Sequence, residues 1–258
     1  MNWFWRPKDK VNKRILLRIF LRTYFVGATF NTKGMQNVGF FHAMDPGLQA
    51  LFGHNPLALK QARARYLKHY NSHPFWAPLL AGIFLSMEQK IAAGLLPAKV
   101  LPQLRLTTTY TLSALGDSFF GGSFLVMWSL IAMNFAVLGW YWPLALWIVF
   151  CFLALQLFRI YTFARGYAQG LSFLQQLKSW DLINWGQRIK MVNGVLLALF
   201  FVHIVPQGFF YLPLWATTAC LLALASSWRT MDRLVIFIIL GLAGLAVPWD
   251  MLCKWLPI

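Results

Sequence analysis

Polar and apolar positions change their pattern near residue 110. From Ser118 to Phe158 there are 41 residues without an Asp, Glu, Lys, Arg or His. Met191–Trp228 gives 38 more whose only ionisable side chain is His203, and Leu234–Trp249 a further 16. A hydrocarbon core about 30 Å thick takes about 20 apolar helical residues. The first two runs therefore hold two crossings each and the last holds one. The pattern predicts crossings at about 118–139, 141–158, 192–206, 209–228 and 234–250. The third is short enough to be bent or partial.

Upstream the pattern is amphipathic. Arg14, Arg18 and Arg22 recur every four residues and share one helical face, with Ile15, Leu16, Ile19 and Phe20 opposite. The spacing predicts a helix lying in the membrane interface, arginines towards headgroups and aliphatics in the acyl boundary. Trp3, Phe4 and Trp5 favour this over an ordinary amphipathic surface helix. Residues 57–70 form a basic, helix-favouring stretch, and residues 74–87 an apolar one of a length suited to a buried or re-entrant segment. The expected fold is all-α: a polytopic membrane protein with about five crossings. Residues 1–110 are a cytoplasmic or interfacial amphipathic and re-entrant region, and residues 111–258 a transmembrane region of the same membrane domain.

Composition agrees. Charged residues make up 12% of the chain, about half the share of a soluble domain. The formal net charge of +16 suits anionic lipid beside cytoplasmic helix ends better than nucleic acid, for which no partner is expected. Five of the basic residues lie between Arg159 and Lys190 and two in 229–233, whereas 139–143 and 206–210 carry none. That alternation places the N-terminus in the cytoplasm and the C-terminus outside. Trp140, Tyr141 and Trp142, then Phe209, Phe210 and Tyr211, fall where an outer aromatic belt belongs. Cys151, Cys220 and Cys253 have no metal or disulfide spacing.

Asp117 stands at the mouth of the first apolar run among Gly116, Gly121 and Gly122. Each glycine disfavours helix by roughly 1 kcal/mol relative to Ala, and broken helices in a membrane line cavities or are buried in protein. Asp117, Gly116, Gly122 and Ser123 thus read as a translocation or polar-solute site. A helix N-cap by Asp117 is the other reading, and the two are compatible. Asn31, Gln36 and Asn37 are amides that suit sugar hydroxyls or a plain polar turn ending at Asp45–Pro46. His69 and His73 have helical metal spacing, but Pro74 follows and no further ligand is near, so no metal is expected. His203 reads as a packed, hydrogen-bonded histidine. Glu88, the only glutamate, is expected to pair with Lys90 or with the basic face of 60–68. No autonomous catalytic set or cofactor motif is present in the sequence.

Four blocks, in order, resemble the IID subunit of the mannose/fructose/sorbose family of the bacterial sugar phosphotransferase system. "FNTKGMQNVGF" carries Asn31, Met35, Gln36, Gly39 and Phe40, and "HYNSHPFWAPLLAGIFLSMEQ" carries Asn71, Pro74, Phe75, Gly82 and Glu88. "ALGDSFFGGS" keeps Gly116, Asp117, Phe120 and Gly122, with Ser123 for a threonine; "RIYTFARGYAQG" keeps Arg159, Gly166, Tyr167 and Gly170. The chain departs from the family at Lys33, Gly34, Gln89, Gly121, Leu125 and Val126. The resemblance implies a IIC membrane partner, a separate IIA/IIB phosphoryl carrier, a hexose-like sugar imported with phosphorylation, and the bacterial cytoplasmic membrane. It adds Asn31, Gln36, Asn71 and Glu88 to the expected binding or translocation residues. The basic face (Lys60, Arg63, Arg65, Lys68) then docks a phosphorylated carrier or meets anionic lipid. The departures leave open a non-transporting interaction or regulatory protein on the same scaffold.

Overall fold

The computed structural model describes residues 11–204, which are almost entirely helical. Asn12 caps α1 (Lys13–Arg22) by accepting from the Arg14 N–H, and a 3₁₀ turn, Thr23–Thr29, follows. α2 runs Asn37–Phe52 straight through Asp45 and Pro46, so the expected turn there is helix. A proline inside a helix leaves the carbonyl four residues back without its usual donor. Here that carbonyl belongs to His42, and it accepts from Arg22 Nη1 at 2.9 Å. α3 (Pro56–Tyr66) starts on the Asn55 cap with proline in its first turn.

α4 (Ala77–Ala92) is the centre of the fold. Its residues from Ala77 to Gln89 are buried, against α2, α5 and α7. Of the two expectations for 74–87, buried holds. α7 (Tyr141–Gln169) crosses α4 at glycines: a Cβ on Gly82 would lie 2.5 Å from the Phe163 carbonyl oxygen, and one on Gly166 2.8 Å from that of Leu79. Small residues let membrane helices approach backbone to backbone. Gly170, with φ +62°, ends α7.

α5 (Leu101–Gly116), a π-helical stretch Asp117–Phe124 and α6 (Leu125–Val137) follow one another without a break. After α7 come the short α8 (Phe173–Ser179) and α9 (Leu182–Ile204). α9 packs on α6 and on the π-helical stretch. Among the described residues, three segments are long and apolar enough to cross a membrane: Ala98–Val137, Tyr141–Ser179 and Leu182–Ile204. They carry the first three expected crossings, the second starting at Tyr141 as expected and the first and third earlier. The first helix begins about 20 residues before 118, and the third, at Leu182, is continuous rather than short. The crossings expected at 209–228 and 234–250, with Phe209, Phe210, Tyr211, Cys220 and Cys253, lie outside the described residues, as do Trp3, Phe4 and Trp5.

α1 faces the other way from expectation. Ile19 and Phe20 are buried in the protein core, with Ile15 and Leu16 packed against it, while Leu17, Leu21 and Phe25 are exposed beside Arg14 and Arg18. The helix has an apolar face on each flank of its arginines, and the protein takes the larger one.

Candidate functional site

The amide-rich segment 31–37 folds into a tight turn. Asn31 and Met35 exchange backbone hydrogen bonds, each 2.9 Å. Asn31 Oδ1 accepts from the Gly34 N–H at 2.7 Å, and its Nδ2 donates to the Met35 carbonyl and to Asn37 Oδ1. Met35 takes φ +60° to close the turn. The turn is stitched to residues 67–72: the Gln36 N–H donates to the Tyr70 carbonyl, Asn37 Nδ2 to the Leu67 carbonyl, and the Ser72 N–H to Gln36 Oε1. Asn31 and Gln36 are thus engaged in building backbone. Asn71, half-buried, lies on the same stitched loop.

Two residues further on, that loop meets the glycine–aspartate stretch. A Cβ on Gly116 would fall 2.4 Å from His73 Cβ and 2.8 Å from Trp76 Cδ1. The His73 ring stacks on Phe120 with centres 5.2 Å apart. Burial lowers the His73 pKa, and the nearby Asp117 charge works in the opposite direction. Asp117 is exposed on this chain and has helical φ and ψ. It is therefore neither a helix N-cap nor a residue at a broken helix. The glycines give a widened turn instead of a break. Ser123 Oγ donates to the Ser118 carbonyl five residues back, at 3.0 Å. The widening also turns the Ser123 carbonyl outward, where Asn193 of α9 donates to it at 3.0 Å. π-Helical insertions in α-helices recur at functional positions. A Cβ on Gly186 of α9 would lie 3.4 Å from Ser123 Oγ, and one on Gly122 3.8 Å from Lys190 Cε. A Cβ on Gly121 would meet nothing within 4 Å, so this side of the π-turn is open.

Glu88 has no exposed surface and pairs with Arg65 through two hydrogen bonds, Nε to Oε1 at 3.1 Å and Nη2 to Oε2. This is the expected partner on the basic face of 60–68. Burial raises the Glu88 pKa, and Arg65 and Tyr66 pull it back down. Gln89, at a family departure, donates to the Tyr167 hydroxyl at 2.8 Å and links α4 to α7. Arg159 sits 3.6 Å above the centre of the Tyr24 ring. His69 and His73 face different aromatic neighbours, Tyr110 and Phe75 with Phe120. His203 is exposed, contrary to the packed position expected, and its Nδ1 lies 2.7 Å from the Leu199 carbonyl.

The candidate residues therefore form two groups. Asn31, Gln36, Asn71, Gly116, Asp117, Gly122 and Ser123 follow a path from the stitched loop along the π-turn to α9. Glu88 lies apart, near the other end of α4. Sequence reasoning missed Asn193 and Gly186, whose positions on α9 become meaningful only once α9 packs on the π-turn. It also missed Arg105, buried on α5.

An all-helical membrane protein with a π-turn and an exposed carboxylate in one apolar helix is the class these features define. Residues 10–200 match the family described as the PTS system mannose/fructose/sorbose family IID component. The chain belongs to that family. It is 29% identical over 175 residues to the PTS system mannose-specific EIID component of Escherichia coli (strain K12), a match covering 66% of this chain and 60% of that protein. It is 26% identical over 200 residues to the Fructose permease IID component of Bacillus subtilis (strain 168), covering 75% and 68% respectively. The chain thus spans about 60% of the length of the mannose-specific relative. Two solved structures share the fold at 22% identity, each match covering 92% of this chain and 97% of the other. One is described as the structure of a membrane protein, with a TM-score of 0.66, and the other as the mannose transporter ManYZ in complex with microcin E492, with a TM-score of 0.53.

Proposed function

We propose that the chain is the IID half of a sugar permease in the bacterial cytoplasmic membrane, with its N-terminus cytoplasmic. It pairs with a IIC subunit to import a hexose-like sugar, which separate IIA and IIB proteins phosphorylate. The observation that carries this reading is Asp117, an exposed carboxylate on a π-turn within a helix apolar enough to cross a bilayer. A charge at the centre of such a helix costs about 2.5–3.5 kcal/mol on insertion scales. An exposed carboxylate here suits a face that meets a hydrated passage or a second subunit, and the open side of Gly121 supplies the room for one. Asn193 and Gly186 brace the π-turn from behind, so that face is held in one shape. Asn71, Gly116, Gly122 and Ser123 border or shape the same path. Asn31 and Gln36 support it through the loop they stitch, and the Arg65–Glu88 pair fixes α3 on α4 behind it.

Uptake of labelled hexose by vesicles containing this chain, a IIC partner and the phosphoryl carriers tests the proposal. The wild-type pair is expected to accumulate sugar phosphate, and Asp117→Asn to reduce uptake at least tenfold while still assembling. Undiminished uptake by Asp117→Asn would remove the role given to the carboxylate. Absence of uptake by the wild-type pair would remove the transport reading itself.

A further inference from the structure

Arg105 is a buried cation for which the described residues supply no counter-ion. It is 3% exposed on α5. Its Nη2 donates to the His69 carbonyl at 3.2 Å, and its guanidinium carbon lies 5.9 Å from the centre of the Tyr66 ring. Nε and Nη1 are buried without a hydrogen-bond partner. The described carboxylates are Asp45, Glu88, Asp117 and Asp181. Asp45 pairs with Arg63 and Glu88 with Arg65. Asp181 accepts from Asn184. Asp117 is exposed, three turns along from Arg105, or about 18 Å at 1.5 Å per residue.

Other unsatisfied atoms gather around the same cation. The Tyr66 and Tyr70 phenols interact with the Arg105 charge, and burial raises both pKa values, which keeps them protonated. The Tyr70 and Ser72 hydroxyls lie against each other and pair together, which leaves one hydroxyl hydrogen between them to donate, and the Thr109 hydroxyl one turn beyond Arg105 is buried without a hydrogen-bond partner. Leaving such a group unsatisfied costs about 1–3 kcal/mol, and burying an uncompensated charge costs several. Water would satisfy the hydroxyls but would leave the charge. A small oxyanion satisfies both, because it accepts from the hydroxyl hydrogens left over and matches the guanidinium fork.

Thr108, one turn from Arg105, lines a cleft of about 810 Å³ between α5 and the α8–α9 corner, together with Thr107, Thr111, Lys178 and the carboxylate of Asp181; Arg105 itself lies behind that wall. We infer that Arg105 and the Thr109 hydroxyl, with the Tyr70–Ser72 hydroxyl pair beside them, form a binding site for a small oxyanion of the phosphate class. The site does not depend on the transport reading and stands or falls separately from it.

The test uses the full chain in mild detergent. Inorganic phosphate and a hexose phosphate are titrated separately against sodium chloride at matched ionic strength, with the melting temperature as readout. At a hundredfold excess over Kd, phosphate is expected to raise Tm by on the order of 5 °C. Whichever of the two compounds acts at lower concentration identifies the source of the oxyanion. Arg105→Gln should abolish the shift and keep or raise the Tm without phosphate, since it removes a buried charge. Thr109→Val, close in shape, should fold normally and weaken the apparent affinity severalfold. No shift with either compound in the wild type would overturn the site, as would an equal shift in Arg105→Gln. Ordered waters alone around Arg105 in a high-resolution structure at saturating phosphate would also overturn it.

Discussion

At Glu88 and Arg65 a buried carboxylate is held by a guanidinium whose side chain is 11% exposed. Removing one partner of such a pair typically costs about 3–5 kcal/mol, because the other charge stays buried alone. Arg65→Met should therefore lower stability by about that amount at neutral pH. A carboxyl whose pKa is raised in the folded state contributes most below its unfolded value, and the contribution is lost as pH rises. The deficit of Arg65→Met should thus be small near pH 4 and widen towards pH 7.5, read as Tm against pH in detergent. A deficit that does not change with pH would show that Glu88 is not the group left stranded. This pairing was legible in the sequence, because the only glutamate directly follows the apolar stretch 74–87 and a basic face was available. Arg105 was not legible. A lone arginine among threonines in "QLRLTTTYTL" has the same pattern whether it faces lipid headgroups or the interior. Only the packing of α5 on the 67–73 loop decides.

Among the elements, the sequence was read correctly where periodicity or length decides. Within the described residues the apolar runs became membrane-length helices, and residues 74–87 became the buried α4. It was misread where two structures satisfy the same residues. The glycines at 116–122 can break a helix or widen it, and the choice rests on α9, whose Asn193 and Gly186 seat the widened turn. On α1 two apolar flanks compete for the protein, and volume rather than spacing selects Ile19 and Phe20. The matching blocks near α7 turn out to be structural: Arg159 covers Tyr24, Gly166 admits α4, Tyr167 takes the Gln89 amide and Gly170 stops the helix. The π-turn gives a paired prediction. Gly116→Leu drives a side chain into His73 and Trp76 and should lower Tm by several degrees, as overpacking typically costs about 1–3 kcal/mol. Gly121→Trp places a large side chain on the open side and should leave Tm unchanged. If Gly121→Trp were the more damaging of the two, the open face assigned to the π-turn would be wrong.

For the whole molecule, the described residues 11–204 form a helical core around α4 with three membrane-length helices leaving much apolar surface outward. Trp142 is 83% exposed, Leu146 69% and Val195 62%, which in water would be untenable and in a bilayer is expected. The long apolar runs and the low charge content predicted a membrane protein, and family membership agrees. What composition cannot distinguish is apolar surface that meets lipid from surface that meets another subunit, since lipid tails are as apolar as leucine. Asp117 is the exception, because it is polar where lipid would penalise it.

The most direct measurement is co-purification in mild detergent of the affinity-tagged chain with a co-expressed IIC-type subunit, followed by native mass spectrometry. The account predicts a stable complex containing both polypeptides. It also predicts that a cysteine at position 121 forms cross-links to the partner, whereas one on the exposed lipid-facing side of α7, at position 146, forms none. The chain running alone, or cross-links from 146 and none from 121, would contradict it.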